Sequence, residues 1–322
     1  MEPRNVARGA LFGALIGDAA GATLEFLGRP PTPGECAGAM RMTGGGILGT
    51  APGQITDDGE LALCLAYGLT GRDTYDADRV AQKYLDWYGS RPFDVGNATA
   101  NAFSVRVPGG QGVASAVRAA AQRNSASKAN GALMRAAPLG VWGARLTPEA
   151  LRVAACDDTS LSHPHVTCQF ATAAYVIAIR HLMVSPGDAR GALDAAGAVL
   201  AVPEAREVAG WFSDALAGKD TGYYPQAGFV RHGFVHAFRH LALGTSYEGA
   251  LAETLLGGGD TDTNACIVGG LVGALHGDLG IPVPMQRALL DCNTAAGRPR
   301  PVWLATTRLD DVVAGLLEPG SP

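Results

Sequence analysis

Two short segments pair acids with hydroxyls in a way that suggests chemistry. The first is Thr56-Asp57-Asp58, and the second is Gly257-Gly258-Gly259-Asp260-Thr261-Asp262-Thr263-Asn264. Each sets two carboxylates and at least one threonine hydroxyl just ahead of an apolar helical stretch. Helix capping accounts for one acid in each segment, because Asp and Thr favour the positive end of a helix. It does not account for a second acid beside the first, whose repulsion calls for a compensating cation. The three glycines before Asp260 allow an unrestricted turn at a stability cost that capping alone does not require. Carboxylates and hydroxyls form a hard, all-oxygen donor set, suited to Mg²⁺ or Mn²⁺ and poorly suited to Cu or structural Zn. Four acids in two clusters are enough to hold two such ions about 3.5–4 Å apart.

The elements that must bring these segments together read as helices. Apolar periodicity predicts helices over 6–20, 61–69, 77–88, 113–122, 148–155, 166–184, 188–200, 204–217, 229–241, 247–256, 263–276, 284–291 and 310–317. Loops are expected at 28–58, 90–112, 123–131, 156–165, 218–228, 256–262 and 293–303. Alternating strand patterns are nearly absent, so the fold class is all-α. With neither a composition shift nor a repeat, residues 1–322 read as one domain, with 295–322 as a peripheral C-terminal appendage. Glycine is abundant, at 44 of 322 residues. Gly9, Gly13, Gly17 and Gly21 fall inside a helical pattern, where each costs about 1 kcal/mol and suits close helix packing.

Composition excludes several functions. A net charge of −5 without a basic run argues against nucleic-acid or membrane-surface binding. The apolar run Val166–Val184 contains Gln169, Arg180 and His181, too polar for a spanning helix. Six scattered cysteines read as reduced core thiols, and the first residues open onto a helix rather than a signal peptide. A cytoplasmic protein is therefore expected. No Walker A lysine motif or Rossmann fingerprint is present. His232, His236 and His240 recur four residues apart, but Gly233 follows His232 where a zincin requires Glu, so they read as a polar helix edge.

Six ordered motifs carry a resemblance. They are 13–21 (Gly-Ala-Leu-Ile-Gly-Asp-Ala-Ala-Gly) with Glu25-Phe26, then Thr56-Asp57-Asp58 and Pro92-Phe93-Asp94-Val95-Gly96-Asn97. Asn130-Gly131-Ala132-Leu133-Met134-Arg135, Leu161-Ser162-His163-Pro164-His165 and the 258–264 segment complete the set. In this order the chain resembles the ADP-ribosylglycohydrolase family over about residues 9–277. The resemblance implies an all-α bundle with a binuclear Mg²⁺ or Mn²⁺ centre, ligated by Thr56, Asp57, Asp58, Asp260, Asp262 and Thr263. It also implies catalytic roles for Asp94, Glu25 and Asp58, with Asp94 acting on the ribose. Gly96, Asn130, Gly131, Met134, Arg135, His163 and His165 would then line the ADP-ribose site, with backbone amides of the 130–135 segment toward the diphosphate.

Taken alone, Asp94 is a turn residue, Gly131 and Met134 are turn and core, and the two histidines are solvated loop residues. Some relatives place an aromatic before the Asn-Gly loop to stack adenine. Ser125–Ala129 contains none, which leaves Phe103 or Tyr223 for that role. The implied reaction releases ADP-ribose from a modified protein side chain, arginine first. Serine-linked or ester substrates, a non-catalytic crystallin-like binder, and a phosphohydrolase releasing AMP are the alternatives. Oligomeric state is not legible.

Overall fold

Helical periodicity and capping residues produce sixteen α-helices in the computed structural model, which describes residues 1–319. They are α1 (Pro3–Gly21), α2 (Pro33–Ala39), α3 (Asp57–Leu69), α4 (Ala77–Gly89), α5 (Asn97–Phe103) and α6 (Val113–Ala121). Next come α7 (Ala137–Trp142), α8 (Pro148–Ser160), α9 (Val166–Val184), α10 (Ala189–Val199) and α11 (Arg206–Leu216). The last are α12 (Val230–Leu243), α13 (Tyr247–Gly257), α14 (Thr261–His276), α15 (Val283–Leu290) and α16 (Leu309–Leu317). Among the described residues, extended pairing is limited to two isolated bridges, Gly45–Thr50 and Ala129–Phe229. α4 shows how local sequence sets an element. Asp76 accepts a hydrogen bond from Arg79 N at its start, and Val80, Ala81, Tyr84 and Trp87 bury one stripe.

Three helices fall outside the periodicity reading: α2 and α5 within expected loops, and α7, which no pattern marked. At six or seven residues, each is too short to show a repeat. α8 also continues to Ser160, beyond the expected loop start at 156. α9 is long and apolar enough to cross a membrane, contrary to the sequence reading. However, 78% of its apolar window lies inside the bundle, so core packing accounts for its composition.

The central contact is between α1 and α14, and small residues make it close. A Cβ on Gly13 would lie 2.2 Å from Gly269 O, one on Gly17 2.1 Å from Ala265 O, and one on Gly9 2.1 Å from Gly273 O. At the α14 N-terminus, Thr261 Oγ1 donates to Gly21 O at 2.9 Å. Backbone-to-backbone approach therefore replaces side-chain interdigitation here, and it fixes the end of α1 against the start of α14.

The C-terminal stretch is not a peripheral appendage. Arg300 is almost fully buried and pairs with buried Glu60 at 2.7 and 2.8 Å, while Trp87 Nε1 donates to the same carboxylate. Leu309, Val312, Val313 and Leu316 of α16 belong to the core. Residues 320–322 of the expected appendage lie outside the described residues.

Candidate metal centre

The N-termini of α3 and α14 face one another beside the end of α1. This brings Asp18, Asp57, Asp58 and Asp262, all buried, together with Glu25, Asp94 and Asp260 at the edge of the same depression. Oxygens of Asp18, Asp58 and Asp262 lie within 4.8 Å of one another, as do those of Glu25, Asp94 and Asp262. The capping explanation fails at both helices, because neither Thr56 nor Asp260 caps with its own side chain. Thr56 Oγ1 instead lies 2.8 Å from Asp18 Oδ1, 3.3 Å from Asp58 Oδ2 and 3.5 Å from Asp262 Oδ2. Thr263 Oγ1 is within hydrogen-bond reach of Asp58.

Charge in this depression is unbalanced. Among the described residues, no lysine or arginine forms an ion pair with any of the seven acids. Burial, followed by neighbouring acids, holds Asp57, Asp58 and Asp262 well above the usual carboxylate range. Burial also pushes Asp18 up to about 7 and Glu25 up to about 8, and it raises Asp94. Glu25 reaches Asp262 by a hydrogen bond that needs a proton on one of the two. Asp58 Oδ1 and Glu25 Oε2 are buried with no hydrogen-bond partner. Partnerless buried oxygens, surplus negative charge and an all-oxygen donor set fit hard divalent cations.

The residues expected to line the ligand separate into two groups. Asn130 stands at the centre, with Nδ2 donating to Asp260 Oδ2 at 2.8 Å and its amide donating to Gly228 O at 3.0 Å. Gly96 is exposed and is the N-cap residue of α5, two residues after Asp94. Met134 is buried, with Sδ 4.0 Å from Thr263 Oγ1. Gly131 has no room for a side chain, since a Cβ would lie 2.8 Å from His163 Cε1 and 3.2 Å from Thr99 Oγ1.

Two of the others, Arg135 and His163, are buried away from the surface. Arg135 is fully buried, paired with Asp158 and set over the Tyr84 ring, so it is a core residue rather than a pocket wall. His163 is also buried; burial pushes it down to about 3, and it bonds Ser162 Oγ beneath Gly131. His165 is half-buried and caps α9 by accepting from Thr167 N. The amides of Asn130, Leu133 and Met134 are committed to carbonyls of the chain, which removes them as diphosphate donors. Neither proposed adenine platform is free: Phe103 stacks on Tyr84, and Tyr223 stacks on His236 at 4.1 Å. The histidine stripe is not a polar edge either. His232, His236 and His240 are all buried: the 218–228 loop covers the first two, with His232 Nε2 3.3 Å from Pro225 O and Tyr223 stacked on His236, while His240 meets Thr245 Oγ1.

Beside Asn130, a surface cavity of about 440 Å³ is lined by Lys128, Gln226, Gly228 and Phe229. The sequence reading overlooked these residues and left Asp18 unassigned. Asp18 did carry a signal, as the one charged residue in the otherwise small and apolar run from Gly9 to Leu24.

The fold and site together define a helical protein with a buried carboxylate centre fitted to hard cations. A family model described as ADP-ribosylglycohydrolase matches residues 1–316, and the chain belongs to that family. It is 28% identical over 284 residues to the ADP-ribosyl-dinitrogen reductase glycohydrolase of Rhodospirillum rubrum, covering 86% of this chain and 87% of that one. It is 35% identical over 143 residues to the ADP-ribosylarginine hydrolase Tri1 of Pseudomonas putida, covering 42% of this chain and 36% of that one. A solved ADP-ribosylglycohydrolase-related protein complex is similar across 98% of each chain, with a TM-score of 0.74 and 25% identity.

Proposed function

We propose that the protein hydrolyses the glycosidic bond between ADP-ribose and a modified arginine side chain of a protein, using two Mg²⁺ or Mn²⁺ ions. The observation that carries this reading is the convergence of seven acids and two threonine hydroxyls in one depression without a balancing cation. Thr56, Asp57, Asp58, Asp260, Asp262 and Thr263 would hold the ions, with Asn130 keeping the Asp260 carboxylate in register. When bound, the ions supply electrostatic orientation of ribose hydroxyls and a more acidic water.

Cleavage builds positive charge at the ribose C1″ carbon. Asp94, which is only half-buried, would meet the incoming ribose and stabilise that charge. Glu25, whose Oε2 is buried without a hydrogen-bond partner, would position the attacking water or the departing nitrogen. The arginine linkage draws its support from the similarity to Tri1.

The test measures free ADP-ribose released from an arginine-ADP-ribosylated protein with Mg²⁺, with Mn²⁺ and after EDTA. Release that depends on metal is expected. Activity confined to serine-linked or ester substrates would overturn the linkage, and release of AMP would overturn the glycosidic reaction. ADP-ribose binding without turnover would overturn catalysis.

A further inference from the structure

Asp18 lies on α1 within the acid cluster but outside the set of residues proposed to hold the ions. Its carboxylate is fully buried and accepts four hydrogen bonds from α3. Thr56 N donates to both oxygens at 3.0 Å, Thr56 Oγ1 donates to Oδ1 at 2.8 Å, and Gly59 N donates to Oδ2 at 2.8 Å. Thr56 is the N-cap of α3, and Gly59 is the third residue of the helix. In an ordinary cap, the N-cap hydroxyl would itself accept from that amide. Here a carboxylate from another helix takes over the task, and the Thr56 hydroxyl is released from it.

A hydroxyl has one proton and two lone pairs. The shortest of its three carboxylate contacts, to Asp18, claims the proton. Its lone pairs then turn toward Asp58 Oδ2 and Asp262 Oδ2, at 3.3 and 3.5 Å. Without a proton for either contact, three oxygens converge on one point beside Asp58, whose Oδ1 is buried and partnerless. That is an arrangement for a cation. Gly59 completes it, because a Cβ there would lie 2.6 Å from Asp18 Oδ2 and displace the carboxylate.

We propose that Asp18 is a positioning residue for the metal centre. By capping α3 from α1, it fixes the Thr56 hydroxyl with its lone pairs toward the ion that Asp58 and Asp262 share. Both oxygens of Asp18 are already occupied as acceptors, so it acts through Thr56 rather than as a ligand. The inference rests on the metal-dependent reading above, and the experiment separates the two.

Mn²⁺ binding is measured on the full chain by the loss of the free-ion electron paramagnetic resonance signal. Wild type, Asp57→Asn, Asp18→Asn, Thr56→Val and the Asp18→Asn/Thr56→Val double variant are compared, each with a metal-free thermal melt. Asp18→Asn keeps the shape but sets an amide NH₂ against N–H donors. It is expected to weaken Mn²⁺ binding about 10–100-fold, the usual effect of losing an outer partner of a ligand. The double variant is expected to bind no more weakly than Thr56→Val alone.

If wild type does not bind Mn²⁺, the metal-dependent reading itself fails. If wild type binds and Asp18→Asn matches it, or the two single losses add in full, the positioning role is overturned. A loss as complete as that of Asp57→Asn would make Asp18 a direct ligand and also overturn it. Should Asp18→Asn fail to fold, Gly59→Ala decides, since it moves the carboxylate while keeping every acid. The same 10–100-fold weakening is expected there, and wild-type binding would overturn the proposal.

Discussion

Arg135 and Asp58 are both buried and ionisable, but only the first is balanced. Arg135 pairs with Asp158 and lies over the ring faces of Tyr84 and Phe103, so its charge is offset even though Nη1 has no hydrogen-bond partner. Removing one member of such a pair leaves an uncompensated buried charge and costs about 3–5 kcal/mol. Arg135→Met is therefore expected to lower the melting temperature sharply while leaving the KM for substrate unchanged where the protein still folds. A raised KM at full stability would return Arg135 to the ligand site.

The acids behave in the opposite way. Asp57 is held well above the usual range by burial and by Asp94, so its ionised form burdens the metal-free protein. Asp57→Asn is expected to abolish turnover while leaving the metal-free melting temperature equal or higher at pH 8. A lower one would mean that the carboxylate supports the fold rather than the site. Sequence alone distinguishes these cases poorly. The acid clusters are legible because repulsion between adjacent carboxylates is a local fact. The burial of Arg135 depends on Asp158, Tyr84 and Phe103, which lie far from it in the chain.

Among the elements, the glycines divide into those that make room and those that do not. Gly13 of α1 meets Gly269 O within 2.2 Å of its would-be Cβ, against backbone that cannot yield. Gly210 of α11 has open space around the same position. Gly13→Ala is expected to cost about 1–3 kcal/mol through overpacking and, by parting α1 from α14, to weaken metal binding as well. Gly210→Ala is expected to add about 0.4–1 kcal/mol through reduced unfolded-state entropy and better helix propensity. Chemical denaturation of both variants checks the contrast, and equal effects would remove the close-packing argument.

The long helices were legible from apolar spacing because three or more turns display the period. α2, α5 and α7 were not, although the Thr32–Glu35 capping box gave α2 a local start signal. The stripe at 232, 236 and 240 shows the limit of the method. Helical spacing put three histidines on one face, but the 218–228 loop over His232 and His236, and Thr245 beside His240, decide that the face is buried.

For the whole molecule, the question is how residues 18–25, 56–58, 94 and 260–263 come to one place, which no local pattern determines. The Thr261–Gly21 hydrogen bond closes a separation of 240 residues, and Arg300 closes the same separation onto Glu60. Folding thus assembles a concentration of negative charge that only protons or cations can offset, and this links stability to pH. Glu25 and Asp18 have ordinary values of 4.5 and 3.8, pushed up to about 8 and about 7 by burial. For carboxyls raised in this way, the stabilising contribution is fully present below about pH 4. It is lost as pH rises through 7 to 8.

A bound cation replaces those protons, so its binding releases them and tightens as pH rises. The rise in melting temperature produced by Mg²⁺ over EDTA should therefore be small near pH 5.5 and grow toward pH 8.5. Buried histidines such as His236, pushed down to about 4, destabilise the fold at acid pH with or without metal. They cancel in that difference, which isolates the acid cluster. A metal-induced rise that is the same at both ends of the range would mean that cations and protons do not compete for these oxygens. The centre would then have to be sought elsewhere in the molecule.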